Sequence, residues 1–428
     1  MFSTFNAVKA SDPTYLIKKI GKTGSGDGEF YYSYSIINAK GMYYVADFGN
    51  DRIEVFNQNW IFQYSFGTSG LGVGQLDGPY SLYYNGTYIF VTEYVNSRVS
   101  VFDTDGHYKT TFGTKGTGLG QLYNPAVITA YDGLIYIADH GNGRIQVYNE
   151  STFDFVRTIS NSHTTSPFGI AIKDDIIYIC DVNSENVIML DVKNGFYLNN
   201  AVNYPSGEKG HTPSPFIDTI INNYLVVTDA FSQSINIYDN TGVMVDQITG
   251  GMNIPGNIII KGDQIIVNQL GLDDVWVMRA VANPSNLNVI TGDYGNLITW
   301  NIDQSQGALS ILKYNIYRDN GSGSEFIGQT TSQSFSDISA KPGQTYTYSV
   351  EAVSSIATSN RITSAKVNMG SPNNVVQKIT QTVTVAGGSN DTTSTGGSFL
   401  SNLPVELGPV VFALVMIPIV LRKKNLFK

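Results

Sequence analysis

Cysteine is almost missing from this chain. Its 428 residues include one, Cys180, so no intrachain disulfide can staple the fold. Cys180 ends the apolar run Ile176-Ile177-Tyr178-Ile179, where alternation makes it a small core residue rather than a reactive thiol. Charge is scarce as well. Asp, Glu, Lys and Arg make up 14% of the chain, against roughly 25% in average soluble domains. The polar surface must therefore be built from Tyr, Asn, Ser, Thr and Gly, a balance commoner in secreted and surface proteins. Positive charge is the scarcer sign: 26 Lys and Arg against 35 Asp and Glu give a net charge of −9. That excludes the basic footprint a nucleic-acid partner requires. Met1 to Pro13 holds no apolar stretch of the signal-peptide kind. No apolar run long enough to approach membrane thickness occurs before the end of the chain.

What the sequence does contain is a repeat. Tyr44-Val45-Ala46-Asp47-Phe48-Gly49-Asn50-Asp51-Arg52-Ile53 is copied around Glu93 and again around Asp139, which places the acidic residues 46 positions apart. Weaker copies are anchored at Asp181, Asp229 and Gln269. Fourteen residues before the anchor stands a proline in five copies (Pro79, Pro125, Pro167, Pro215, Pro255), with Ser33 in the first. Six residues after it stands Ile53, Val99, Ile145, Val187, Ile235 or Val275. Each unit reads as four short strands with turn residues between them. A single such unit cannot bury both of its faces, and radial stacking into a propeller solves that problem.

The pattern Asp-x-x-Asn-x-Arg-Ile resembles the NHL repeat over about residues 15 to 280. The resemblance implies an all-β fold, a six-bladed β-propeller over residues 14–281. Blades one to three match closely, while Asn186, Ser234 and Asp274 replace the arginine later. Tyr15 to Gly21 repeats the end of blades one and two but has no blade before it. Blade six stops after its third strand near Met278, so the N-terminal strand is expected to close the ring.

Beyond Ala282 the period ends. Trp300, Tyr314 to Arg318 and Pro342 to Val353 resemble a fibronectin type III domain over 282–369, with Trp300 as core tryptophan and Tyr346 at the tyrosine corner. Residues 370–402, rich in Ser, Thr, Gly and Asn, read as a flexible stalk. The apolar run Leu407 to Leu421 reads as a transmembrane anchor over 403–422. The basic tail 423–428 then places the propeller outside the membrane.

The repeated turn residues Asp47, Asn50, Arg52, Glu93, Asn96, Arg98, Asp139, Asn142 and Arg144 read as structural, because catalysis needs a unique constellation. Their carboxylates are expected to accept backbone N–H groups in the connection to the third strand, with the arginines tying neighbouring blades. His107, His140, His163 and His211 are spread over different turns, so neither a metal nor a cofactor is expected. Phe48, Tyr94 and His140 follow the anchors in polar turns, and Tyr34, Tyr80, Phe168 and Phe216 follow the proline position nearer the inner rim. The first three read as exposed rings suited to stacking on a sugar or a protein, with Tyr34 and Tyr80 beside them. Asn85, Asn149, Asn320 and Asn390 are sequons that permit glycosylation. The function expected is surface recognition or attachment, of a cell or of a virion, by an archaeal or archaeal-virus type of protein that is not an enzyme. A metal-dependent propeller lyase or lactonase, and a self-associating coat or surface-layer component, are the alternatives.

Overall fold

The computed structural model describes residues 12–183, 186–203, 215–230, 232–292 and 294–369. The expected stalk, anchor and tail lie outside the described residues, as do His211, Asn390 and the Phe216 side chain. Among the described residues, no helix is long and apolar enough to cross a membrane.

Six four-stranded sheets form the propeller. Blade 1 consists of Ser33–Ala39, Met42–Asp47, Arg52–Phe56 and Phe62–Phe66, each strand antiparallel to the next. The fourteen-residue spacing is the length of one hairpin. Ser33 pairs with Asp47, Pro79 with Glu93, Pro125 with Asp139, Pro167 with Asp181, Pro215 with Asp229 and Pro255 with Gln269. Proline is tolerated there because it opens an edge strand, where its missing N–H breaks no ladder. The β-branched residue six positions after each anchor pairs with the residue before the anchor. Ile53, Val99, Ile145, Val187, Ile235 and Val275 are all fully buried, each worth about 1.5–3 kcal/mol of transfer free energy.

Directly after the proline position the first strands bulge, which leaves an N–H outside the ladder. A polar side chain of the preceding blade receives it. Leu82 donates to Ser35 Oγ at 3.1 Å, Ile128 to Ser81 Oγ at 3.3 Å, and Ile36 to Asn257 Oδ1 at 2.8 Å across the closure. These three acceptors line a central cavity of about 500 Å³ whose remaining wall is mostly isoleucine.

The ring closes through the N-terminus. Leu16–Ile20 pairs antiparallel with Asp274–Arg279, placing Ile20 opposite Val275 and Lys19 opposite Trp276. Blade 6 thereby gains its fourth strand and loses its open edge.

Residues 285–368 form two further sheets, one of three strands and a larger one built around Thr345–Val353. Trp300 is buried between them with its ring 5.0 Å from that of Tyr314. Tyr346 is buried too, and its hydroxyl accepts the Lys341 N–H at 3.0 Å. This sandwich belongs to the same compact unit as the propeller. It packs on blades 5 and 6 at the end that carries the first-to-second and third-to-fourth hairpins. There Ala308 and Leu309 donate to the carbonyls of Arg279 and Ala280, and Asn360 donates to Asp263 Oδ2 at 2.6 Å. In an antiparallel blade the second-to-third turns and the blade-to-blade connections occupy the other end. That second end, called here the anchor face, points away from the sandwich.

Candidate functional site

The anchor face is built by the repeated turn. Asp47 is fully buried, and its Oδ1 accepts the Tyr31 N–H at 2.7 Å while its Oδ2 accepts from Asn50 at 2.8 Å and from Arg52 Nε at 2.9 Å. Asn50 and Arg52 continue outward to the carbonyls of Gly24, Ser25, Gly26 and Glu29. The same pattern joins Glu93, Asn96 and Arg98 to the loop at Gly70, Leu71 and Gln75, and Asp139, Asn142 and Arg144 to Gly116, Thr117 and Gln121. In these three blades the N–H groups come from the connection that enters the blade, sixteen residues upstream, and not from the connection to the third strand. The expected donors were misplaced because a hairpin brings residue −16 back beside the anchor, a contact that local spacing does not show. Burial pushes the Asp47 and Asp139 carboxyls above their ordinary value, and the donated hydrogen bonds pull the other way.

Within this frame six rings form a continuous arc. Tyr34 lies 5.0 Å from Phe48 and 4.4 Å from Tyr80. Tyr80 lies 5.5 Å from Tyr94 and 5.4 Å from Phe168, and His140 lies 6.2 Å from Tyr94 and 4.9 Å from Phe168. The turn group and the rim group expected to be separate are thus one cluster spanning blades 1 to 4. Phe48, Tyr94 and His140 are half-buried rather than exposed, because the rim rings prop them from below. Burial raises the Tyr34 phenol to about 12, helped by the Tyr32 and Tyr94 hydroxyls. Burial also lowers the His140 imidazole, whose Nδ1 lies 3.1 Å from Ser166 Oγ, and keeps it neutral at neutral pH.

A match to a protein family agrees with this architecture. A family profile described as DUF5128, 6-bladed beta-propeller, matches residues 73–181. The chain carries a six-bladed β-propeller. Among solved structures, a catalytically inactive virginiamycin B lyase from Staphylococcus aureus with quinupristin is 12% identical at a TM-score of 0.47, covering 62% of this chain and 99% of that one. Hydrazine synthase of Kuenenia stuttgartiensis is likewise 12% identical at a TM-score of 0.45, covering 60% and 98%. No curated protein matches the chain.

Other groups singled out in the sequence are scattered over the propeller and the sandwich. His107 is exposed on a third-to-fourth hairpin at the sandwich end, 3.2 Å from Asp103. With Asp103 and Asp105 it is the group of potential metal donors found among the described residues, its ligand atoms lying within 4.8 Å of one another. His163 stacks on Tyr197 at 3.9 Å. Among the described residues, the central cavity wall carries no histidine, cysteine or carboxylate. Asn85 and Asn149 occupy hairpins at the sandwich end, and Asn320 a hairpin of the sandwich. Each accepts the N–H of the residue two positions on: Thr87, Ser151 or Ser322.

Two sets of residues escaped sequence reasoning. Asp51, Ser97 and Asp273 stand at left-handed positions, and their side chains accept the N–H of Gly78, Asn124 and Tyr32 in the next blade. Tyr31, Tyr32 and Tyr123 are 45%, 42% and 42% exposed on the anchor face. Their signal was position: Tyr31 and Tyr123 both stand sixteen residues before an anchor.

Proposed function

We propose that this protein is a membrane-anchored surface recognition or attachment protein, cellular or virion-borne, that holds a glycan or protein ligand on the anchor face and does not transform it. The observation that carries this reading is the arc of six aromatic rings across blades 1 to 4, on the end of the propeller opposite the sandwich. In this reading the sandwich acts as a fibronectin type III-like neck, and the run at 403–422 holds the chain to a membrane with the propeller outside. Aromatic anchors concentrate binding free energy, and truncating one typically costs roughly 1–3 kcal/mol.

The test is the double change Phe48→Ala and Tyr94→Ala, measured by binding to host cells and to immobilised glycans, with thermal melting as folding control. Binding is expected to fall at least about tenfold, while Val182→Ala, the same turn position in blade 4, leaves it unchanged. A folded double variant with intact binding overturns the assignment of this face.

A further inference from the structure

Tyr31 and Tyr123 occupy the same place in blades 1 and 3, and their backbones are fixed in the same way. Each donates its N–H to the anchor carboxylate at 2.7 Å, and each carbonyl accepts the N–H of the glycine in the turn, Gly49 at 2.7 Å and Gly141 at 2.8 Å. A Cβ at Gly49 or Gly141 would collide with the tyrosine ring and its carbonyl oxygen. The rings therefore pack against bare turn backbone along one edge, and both residues remain largely open to solvent. The following residue, Tyr32 or Asn124, takes a left-handed φ of 59° or 49°. Asp273 and Ser97 of the preceding blades hold it there through its N–H. Each platform is thus held by its own blade and by the preceding one before any ligand arrives.

The charges around the platforms are committed. Arg52, Arg98 and Arg144 spend their guanidinium groups on the anchor carboxylates and loop carbonyls. Lys22 pairs with Glu29 at 3.0 Å, and Lys115 reaches over the Tyr123 ring at 5.7 Å. What remains beside the rings is phenol hydroxyls, amides and backbone, while the Asp77 carboxylate at the same place in blade 2 disfavours an acidic ligand between them. Fixed rings stack on the C–H faces of sugars, and phenols and amides both donate to and accept from sugar hydroxyls.

Resting on the proposed function of this face, we propose that Tyr31 and Tyr123 are two stacking subsites for an uncharged oligosaccharide. Packed sheets lie about 10 Å apart, and blade 2 stands between the two rings. A single pyranose does not span them, so the ligand must offer at least two sugar rings, along a chain or on two branches.

The test uses the full chain in detergent against an array of neutral oligosaccharides and their sialylated or sulfated counterparts. Tyr31→Ala and Tyr123→Ala are each expected to lower binding of the neutral ligand at least about tenfold, and Tyr31→Phe restores it because the ring survives. The neutral ligand should bind more tightly than its own monosaccharide units. Preference for the acidic counterparts, or a host ligand that survives complete deglycosylation, overturns the proposal. So does unchanged neutral-glycan binding in a folded Tyr31→Ala, Tyr123→Ala double variant. If that double variant binds normally while the Phe48→Ala, Tyr94→Ala variant does not, this inference falls and the reading of the face stands. If both bind normally, both fall.

Discussion

Glu54 offers a direct test of how the anchor face is held. Its side chain is fully buried, accepts the Gly28 N–H at 3.1 Å and lies 2.8 Å from Nη2 of Arg52, whose Nε pairs with Asp47. Burial pushes its carboxyl up from 4.5 to about 7, against the pull of Arg52 and the Gly28 N–H. A carboxyl raised in the folded state binds its proton more tightly there than in the unfolded chain. The stability it contributes is fully present below 4.5 and is lost as pH rises through about 7. At 1.36 kcal/mol per pH unit the loss between those limits is roughly 3 kcal/mol. Blade 3 carries the uncharged equivalent, since Gln146 fills the same position and donates to the Gln121 carbonyl at 3.0 Å. Glu54→Gln should therefore match the parent at about pH 4 and exceed it in stability at about pH 8 by up to about 3 kcal/mol, read from denaturant midpoints. Gln146→Glu should import the same pH dependence into blade 3. If Glu54→Gln is instead less stable than the parent at pH 8, the ionised Glu54–Arg52 pair outweighs the desolvation cost and the reasoning fails.

Ring closure and blade stitching give two further expectations. Deleting residues 1–21 removes the strand paired with Asp274–Arg279 and should leave a propeller that aggregates or melts without cooperativity; a sharp transition at the parent temperature would contradict closure at this seam. Asp273→Ala removes the acceptor of the Tyr32 N–H and of the Thr23 hydroxyl. It should cost roughly 1–3 kcal/mol in thermal or denaturant melts, and an unchanged midpoint would show that Asp273 does not help to hold blade 6 to blade 1.

The propeller was legible because its constraints repeat. A proline fourteen residues before an anchor, and a β-branched residue six after it, are two sides of hairpins that every blade must form, so the spacing survives even where the residues change. The closing strand could be read for the same reason, as a fourth strand without the first three. The contacts between blades were not legible. Asp51 and Asp273 are aspartates but Ser97 is a serine, and what all three share is a left-handed backbone position and an N–H about 27 residues downstream or across the closure. Gly143 stands at the equivalent place in blade 3 with no side chain to contribute. A single sequence shows residue types and spacing, whereas these contacts depend on backbone conformation.

The candidate site was half visible, and the half that was missed has a physical cause. Repetition marks what all blades share, but recognition of a particular ligand needs positions where the blades differ. Phe48, Tyr94 and His140 were found because they adjoin the repeated motif, yet the rings of Tyr34, Tyr80 and Phe168 beneath them leave all three half-buried. The more exposed rings, Tyr31 and Tyr123, stand at a position that the repeat leaves open: Asp77 occupies it in blade 2, Thr165 in blade 4 and Asn253 in blade 6. In blades 1, 2, 3, 4 and 6 the anchor side chain grips that position by its backbone N–H, whatever its side chain, although Thr165 and Asn253 add side-chain bonds of their own. Its side chain varies from blade to blade while the backbone grip is kept. A scaffold whose anchors hold backbone and release side chains can change what it binds while keeping its fold, and blades 1 and 3 are where this chain has placed tyrosine.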